Sequence, residues 1–222
     1  MKAADLRNHP LFQPITQPAM LLAGFALLGA ITLSSIFSLT QPRIEANQNL
    51  ATLKRLNALV HPDQYDNDPV QDSIELPAEP FGSATPVKVY RARKQGQPVA
   101  AIFETTAPDG YSGQIRLLVG VNQDQSLAGL RVIAHKETPG LGDKIEVEKS
   151  DWITQFTGKS LNSPPQDSWA VKKDGGIFDQ FSGATITPRA VVNATRRVLI
   201  WSTQHLPDAF NAANTTTLEK HP

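Results

Sequence analysis

The sequence predicts an α+β protein: one N-terminal apolar helix followed by a mainly antiparallel sheet with packed helices. Three observations lead there. Pro18 to Leu39 is a run of 22 residues without a charge, four later segments rich in β-branched and aliphatic residues alternate with short polar turns, and a 3.6-residue apolar repeat returns near the C-terminus.

At about 1.5 Å per residue, the uncharged run is long enough as a helix to cross a hydrocarbon core of roughly 30 Å, so residues 18–40 read as a transmembrane segment in a lipid bilayer. Thr32, Ser34, Ser35 and Ser38 make its second half more polar, as expected of a helix packed against other membrane helices. A cleaved signal peptide is the alternative. The run is too long for that, its nearest preceding charge is Arg7, and FSLTQPRI offers no small-x-small cleavage site. Lys2 and Arg7 precede the helix while Arg43, Lys54 and Arg55 follow it, so charge alone leaves both orientations open.

Residues 41–86 read as stalk and linker. Pro42 predicts a break, after which Ile44, Leu50, Leu53, Leu56 and Val60 form a loose helical pattern. That pattern suits equally a stalk above the membrane and an amphipathic helix packed on its own domain. His61 to Pro86 carries Asp63, Asp66, Asp68, Asp72, Glu75 and Glu79 with no Lys or Arg, and is expected to be an extended connection. Its acids lack the spacing of a calcium loop.

The folded domain is expected over residues 87–205. Val87 to Arg93, Val99 to Thr106, Gln114 to Val121 and Leu127 to His135 are the expected strands, and the short turns KQGQP, APDGYSG and NQDQS favour an antiparallel meander. A further strand is expected at Ser168 to Lys172, closed by Asp174 to Gly176. Thr187 before Pro188 reads as an N-cap and first-turn pair, with Ala190, Val191, Ala194, Val198 and Trp201 repeating up to about Gln204. Residues 206–222 are expected to be a flexible tail, and residues 1–17 a short N-terminal segment.

Composition narrows the chemistry. The 222 residues hold 21 basic and 21 acidic side chains and no cysteine. With no basic stripe beyond Arg196 and Arg197, nucleic acid is not an expected partner. Without thiolates the chain itself offers no disulfide, thiol nucleophile, zinc-cysteine site or iron–sulfur ligation, and no metal site is expected, so redox work needs an organic cofactor. The same count leaves the compartment open.

The informative stretch is DQFSGATITPRAVVNATRR, where Ser182, Gly183 and Ala184 lead into a helix start. Free N–H groups and the positive end of the helix dipole favour a phosphate there, and the hydroxyls of Thr185 and Thr187 sit beside that field. Taken alone, such a run usually does no more than cap its helix.

The run from Asp179 to Thr185, DxxSGAT, resembles the flavinylation motif of the G subunit of Rnf-type ion pumps and of the related C subunit of the sodium-pumping NADH:quinone oxidoreductase. The resemblance implies FMN joined by a phosphoester to Thr185, installed by a flavin transferase that recognises the motif, Asp179 included, with Ser182, Gly183, Ala184 and Thr187 around the cofactor. A second stretch, HKETPGLGDKIE from His135 to Glu146, is similar to the family's HxETPGLG block, which implies cofactor contacts for Glu137, Thr138, Leu141 and Gly142. Pro139 and two glycines can make the tight turn this needs. His135 is a candidate proton donor there, though a lone histidine at a strand end is more often structural.

The family further implies a cytoplasmic N-terminus, a bacterial inner-membrane location with the domain on the periplasmic side, and partner subunits of the A, B, C, D and E types. Its overall reaction is electron transfer between ferredoxin and NAD⁺ coupled to Na⁺ or H⁺ movement, in which this subunit passes electrons without turnover of its own. The chain's length favours the Rnf relative over the quinone-reductase subunit. Two other readings are a non-enzymatic membrane-tethered FMN sensor or assembly module, and an anchored binding module without flavin.

Overall fold

The computed structural model describes residues 13–215. The expected segments 1–17 and 206–222 thus lie partly outside the described residues. Two compact units divide the chain near residue 51, and each is described by itself.

The first unit is helical. Helix α1 runs Gln13–Asn57 and includes both Pro18 and Pro42. The expected break at Pro42 does not occur. A proline removes one i→i−4 hydrogen bond and crowds the preceding turn, a penalty of about 3 kcal/mol that a helix of this length absorbs when its other bonds are kept. Within the apolar stretch, Thr32, Ser35 and Ser38 donate their hydroxyls to the carbonyls of Leu28, Ile31 and Ser34 at 2.7 to 2.9 Å, and Thr40 donates to Ile36 at 2.8 Å. Their polarity is therefore satisfied inside the helix, which suits an apolar solvent. The large side chains from Met20 to Leu39 are all exposed, and the helix is long and apolar enough to cross a membrane, with a mean hydropathy of 2.1 in its most apolar window.

The second unit starts in the last turns of α1. Leu53, Leu56, Leu59 and Val60 pack with Tyr90, Ala92, Ala100, Ile102 and Leu118. From residue 52 onward, then, the loose helical pattern is packing on its own domain, whereas Ile44 and Leu50 are exposed.

Five antiparallel strands follow in the order β1-β2-β3-β4-β5: Ser73–Leu76, Val87–Lys94, Gln97–Ala107, Ile115–Asn122 and Leu127–Ala134. The four expected strands are present and form the expected meander. Strand β1 corrects the reading of 61–86 as a mere connection, since Ile74 faces Val89 and Leu76 faces Val87 along the sheet edge. Four residues between acids and prolines are too few to display an alternating pattern. Gln95 and Gly96 both take positive φ (51° and 76°), the two-residue turn that suits the twist between β2 and β3.

Both faces of the sheet are covered, which explains the nearly continuous apolar character of its strands. Val87, Val89, Ala101, Phe103, Leu117 and Val119 cluster with Ala190, Val191, Ala194, Val198 and Leu199 of helix α2 (Ile186–Asn211), while the alternate residues meet the end of α1. The strand expected at Ser168 to Lys172 is replaced by 3₁₀ turns at Gln166–Ser168 and Lys172–Asp174 and a single bridge, Val171 to Phe178. Side chains hold this segment instead of a ladder: Phe156 stacks on Phe178 with centroids 4.5 Å apart, and Trp169 lies 5.0 Å from Phe178.

The cap of helix α2 falls at Thr185, two residues before the expected one, and the helix extends past Gln204 to Asn211, through Pro207. Residues 206–211, expected from the sequence to belong to the tail, bury Leu206, Ala209 and Phe210. Its last carbonyls are met from β2. Arg91 donates to Ala209 and Ala212 at 3.0 and 2.7 Å, Arg93 donates to Phe210 at 2.6 Å, and Asp72 pairs with both arginines. These bonds satisfy groups that a helix end leaves orphaned.

Candidate functional site

The site is built from three loops around the start of α2. After β5, the chain turns at Thr138 to Gly142, where the N–H groups of Leu141 and Gly142 both donate to the Thr138 carbonyl at 3.1 and 3.0 Å. Gly140 has φ of +78°, a conformation that favours glycine. The second loop is the β3–β4 connection with Gly110, Tyr111 and Ser112. The third is the turn Phe181 to Ala184, closed by a 3.0 Å bond from the Ala184 N–H to the Phe181 carbonyl, with Gly183 at φ of +80°.

One buried carboxylate ties these loops together. Glu137 is 4% exposed; it accepts the Ser112 N–H at 2.9 Å on one oxygen and the Thr187 hydroxyl on the other. Its own N–H donates to His135 Nδ1 at 3.0 Å, and His135 Nε2 lies 2.7 Å from Glu146. His135 thus orients the Glu137 backbone, in line with the structural role, and does not line the cleft. Gly142 permits this closure: a Cβ there would stand 2.8 Å from Glu137 Cβ and 2.9 Å from Thr187 Oγ1.

The two threonines have opposite surroundings. Thr187 is 1% exposed and spends its hydroxyl on Glu137, so it is not the cap that the sequence suggested. Thr185 holds the N-cap position, in αR conformation, and its side chain makes no capping hydrogen bond. It is half-buried, facing a cleft of about 680 Å³ lined by Tyr111, Glu137, Thr138, Leu141, Gly142, Lys173, Gly183, Ala184, Ile186 and Thr187.

Eight of the residues singled out in the sequence therefore meet at one cleft: Glu137, Thr138, Leu141, Gly142, Gly183, Ala184, Thr185 and Thr187. Two do not line it. Ser182 is exposed at the crest of its turn, and Asp179 is exposed on the adjoining loop, where its carboxylate pairs with Lys172 at 2.6 Å. Its carbonyl accepts the Trp152 indole N–H at 2.7 Å, and Trp152 packs edge-on against Phe181 with centroids 5.2 Å apart. The motif is thus anchored from beneath while Ser182 and Gly183 stay in solvent.

Sequence reasoning missed Tyr111, Lys173 and Ile186. Tyr111 sits in APDGYSG, which reads as a hairpin turn; its two glycines were the signal. Lys173 lies between the strand expected at Ser168 to Lys172 and the turn expected at Asp174 to Gly176. That turn is fastened to the helix start by Asp174 and Arg189, joined at 2.5 and 2.8 Å, and hydrogen bonding to Arg189 holds the Asp174 carboxyl below its usual range.

Residues 110–200, which contain the cleft, match the FMN-binding domain family, and residues 1–59 match the RnfG N-terminal region. The chain is 43% identical over 203 residues to the G subunit of the ion-translocating oxidoreductase complex of Pseudoalteromonas atlantica, covering 91% of this chain and 94% of that one. It is 50% identical over 182 residues to the corresponding G subunit of Pseudomonas aeruginosa, covering 82% and 85%. This chain belongs to the G-subunit family of ion-translocating oxidoreductase complexes. Within the family, the G subunit of Vibrio cholerae is 40% identical over 200 residues, 90% of this chain and 96% of its own length. The matches to the Pseudoalteromonas and Vibrio subunits, at 91% and 90% of this chain, take in both the apolar helix and the cleft-bearing domain.

Proposed function

We propose that the chain is the membrane-anchored, FMN-carrying electron-transfer subunit of an Rnf-type ion-translocating oxidoreductase, with the cofactor's phosphate esterified to Thr185 Oγ1. Its membership of the G-subunit family and its FMN-binding domain make it a single-pass flavoprotein subunit of a redox-driven, multi-subunit ion translocase. The phosphoester, the periplasmic placement of the domain, the A, B, C, D and E type partners, the flavin transferase and the ferredoxin-to-NAD⁺ reaction are the finer parts of this proposal. The match of residues 1–59 to the RnfG region favours the Rnf assembly over the quinone-reductase C subunit.

The observation that carries the acceptor assignment is the contrast between the hydroxyls. Thr187 is engaged with a buried carboxylate, whereas Thr185 reaches the cleft with no capping duty. The cleft's residues fit FMN. Its volume falls in the range of about 300 to 1,000 Å³ usual for small-molecule sites. The first N–H groups of α2 and the cation of Lys173 suit a phosphate, and an ester retains only about one negative charge for them to balance. Leu141 and Ile186, both 42% exposed, offer apolar surface for a ring. Bound there, FMN supplies the redox chemistry that a cysteine-free chain lacks. The chain's share is to hold the phosphate, shape the turn at Gly183 and fix the cleft through Glu137. A covalent tether also retains the cofactor where a dissociated one would be lost by dilution.

The test is a denaturing gel of membranes from a host with its flavin transferase, viewed under ultraviolet light. The parent band should fluoresce, Thr185→Ala should be dark, and Thr187→Ala should fluoresce. A fluorescent Thr185→Ala band, or a dark band for Thr187→Ala alone, refutes the assignment.

A further inference from the structure

We infer that Tyr111 is the aromatic side chain that lies against the flavin ring; this rests on the proposed function and assigns a contact in its site. Among the described residues from 52 onward, the exposed large apolar side chains are Tyr111, Leu141, Ile177 and Ile186, and three of these four line the cleft. Tyr111, at 69%, is the most exposed of them and the only aromatic residue in the lining. Trp152 and Phe181, close by in the chain's fold, pack on each other and stand outside it.

The loop holding Tyr111 is built to present it. A Cβ on Gly110 would lie 2.1 Å from the Gly113 carbonyl oxygen, and Gly113 takes φ of +120°, so both flanks are restricted to glycine by a tight backbone fold. The N–H of the next residue, Ser112, is bound to Glu137, the carboxylate that also holds Thr187 in the first turn of α2. Tyr111 and Thr185 are thus fixed relative to one another through a single buried group, one at the aromatic wall and the other at the phosphate end. A flat ring is matched by an offset or edge-on aromatic neighbour, and an uncovered phenol ring beside a cofactor cleft has its apolar face to offer.

Stacking of a phenol on a flavin has an optical consequence. The excited ring takes one electron from the phenol and returns it, with no net chemistry, so fluorescence is quenched. The experiment uses the full flavinylated chain in detergent, with flavin quantified by absorbance after unfolding and fluorescence read per bound flavin before it. Tyr111→Phe keeps the ring but is a poor electron donor, and its native fluorescence per flavin should rise several-fold over the parent; Tyr111→Trp, a good donor, should stay dim. The inference fails if Tyr111→Phe is as dim as the parent. It fails also if Tyr111→Trp is as bright as Tyr111→Phe, which would trace the brightening to disturbed packing. Absence of flavin from the parent would instead defeat the proposed function, and this contact with it.

Discussion

At the scale of single residues, the site depends on which hydroxyl is already engaged. Two threonines two positions apart look alike in a sequence, and Thr187 before Pro188 has the better cap signature. The fold reverses this, because Glu137 comes from a loop 50 positions away in the chain, and no local pattern reports such a pairing. Thr187→Ala leaves a buried carboxylate oxygen short of a donor, so it should destabilise the domain by about 1 to 3 kcal/mol, read by denaturant unfolding, while flavin attachment continues. Gly142→Ala should cost a similar amount, about 1 to 3 kcal/mol, because its Cβ would press on Glu137 and Thr187, which are both buried. Equal stability of either variant and the parent would show that the Glu137 clasp is unimportant. The proposed acceptor, Thr185, was singled out by the resemblance of DxxSGAT to the family's motif; Tyr111 and Lys173 were not singled out, since a turn tyrosine and a loop lysine carry no periodic signal.

At the scale of elements, the sheet was legible wherever strands exceed seven residues and end in turn residues, as β2 to β5 do. Strand β1 and the end of α2 were not, and the reason is the same polar cluster. Asp72, Arg91 and Arg93 read as scattered charges in a sequence, yet they fasten the strand edge and the last carbonyls of α2. Phe210→Ala, at the position 5% exposed beneath that clamp, should cost about 3 kcal/mol, measured by thermal or denaturant unfolding. A change within error would mean that the tail is a passenger. The loop carrying Lys173 responds to acid in a defined direction. Because Asp174 has its carboxyl lowered in the fold by Arg189, the bridge contributes above the ordinary carboxylate value and is lost as pH falls through the lower folded one. Hydrogen exchange over residues 172–180 should accordingly be unchanged from about pH 7 to 5, once corrected for intrinsic rates, and rise only below the usual carboxylate range. Loosening already at mildly acidic pH would contradict the bridge.

At the scale of the whole molecule, the chain joins an apolar helix to a cysteine-free domain that carries the cleft at the start of α2. The helix was legible because an uncharged run of membrane length has few other uses, while its passage through Pro42 was not, since a proline signals a break and the surrounding turns decide. The domain supplies a scaffold covered on both faces, which leaves the cleft at the start of α2 as the place where apolar side chains are collected in solvent. The central claim is that this cleft holds FMN through a covalent phosphoester. Its most direct test is the intact mass of the chain extracted from membranes of its own host, with fragmentation to locate any addition. The expected result is a chain heavier by one FMN less one water, with the addition on the peptide containing Thr185; a bare polypeptide mass, or an addition on another residue, would contradict it.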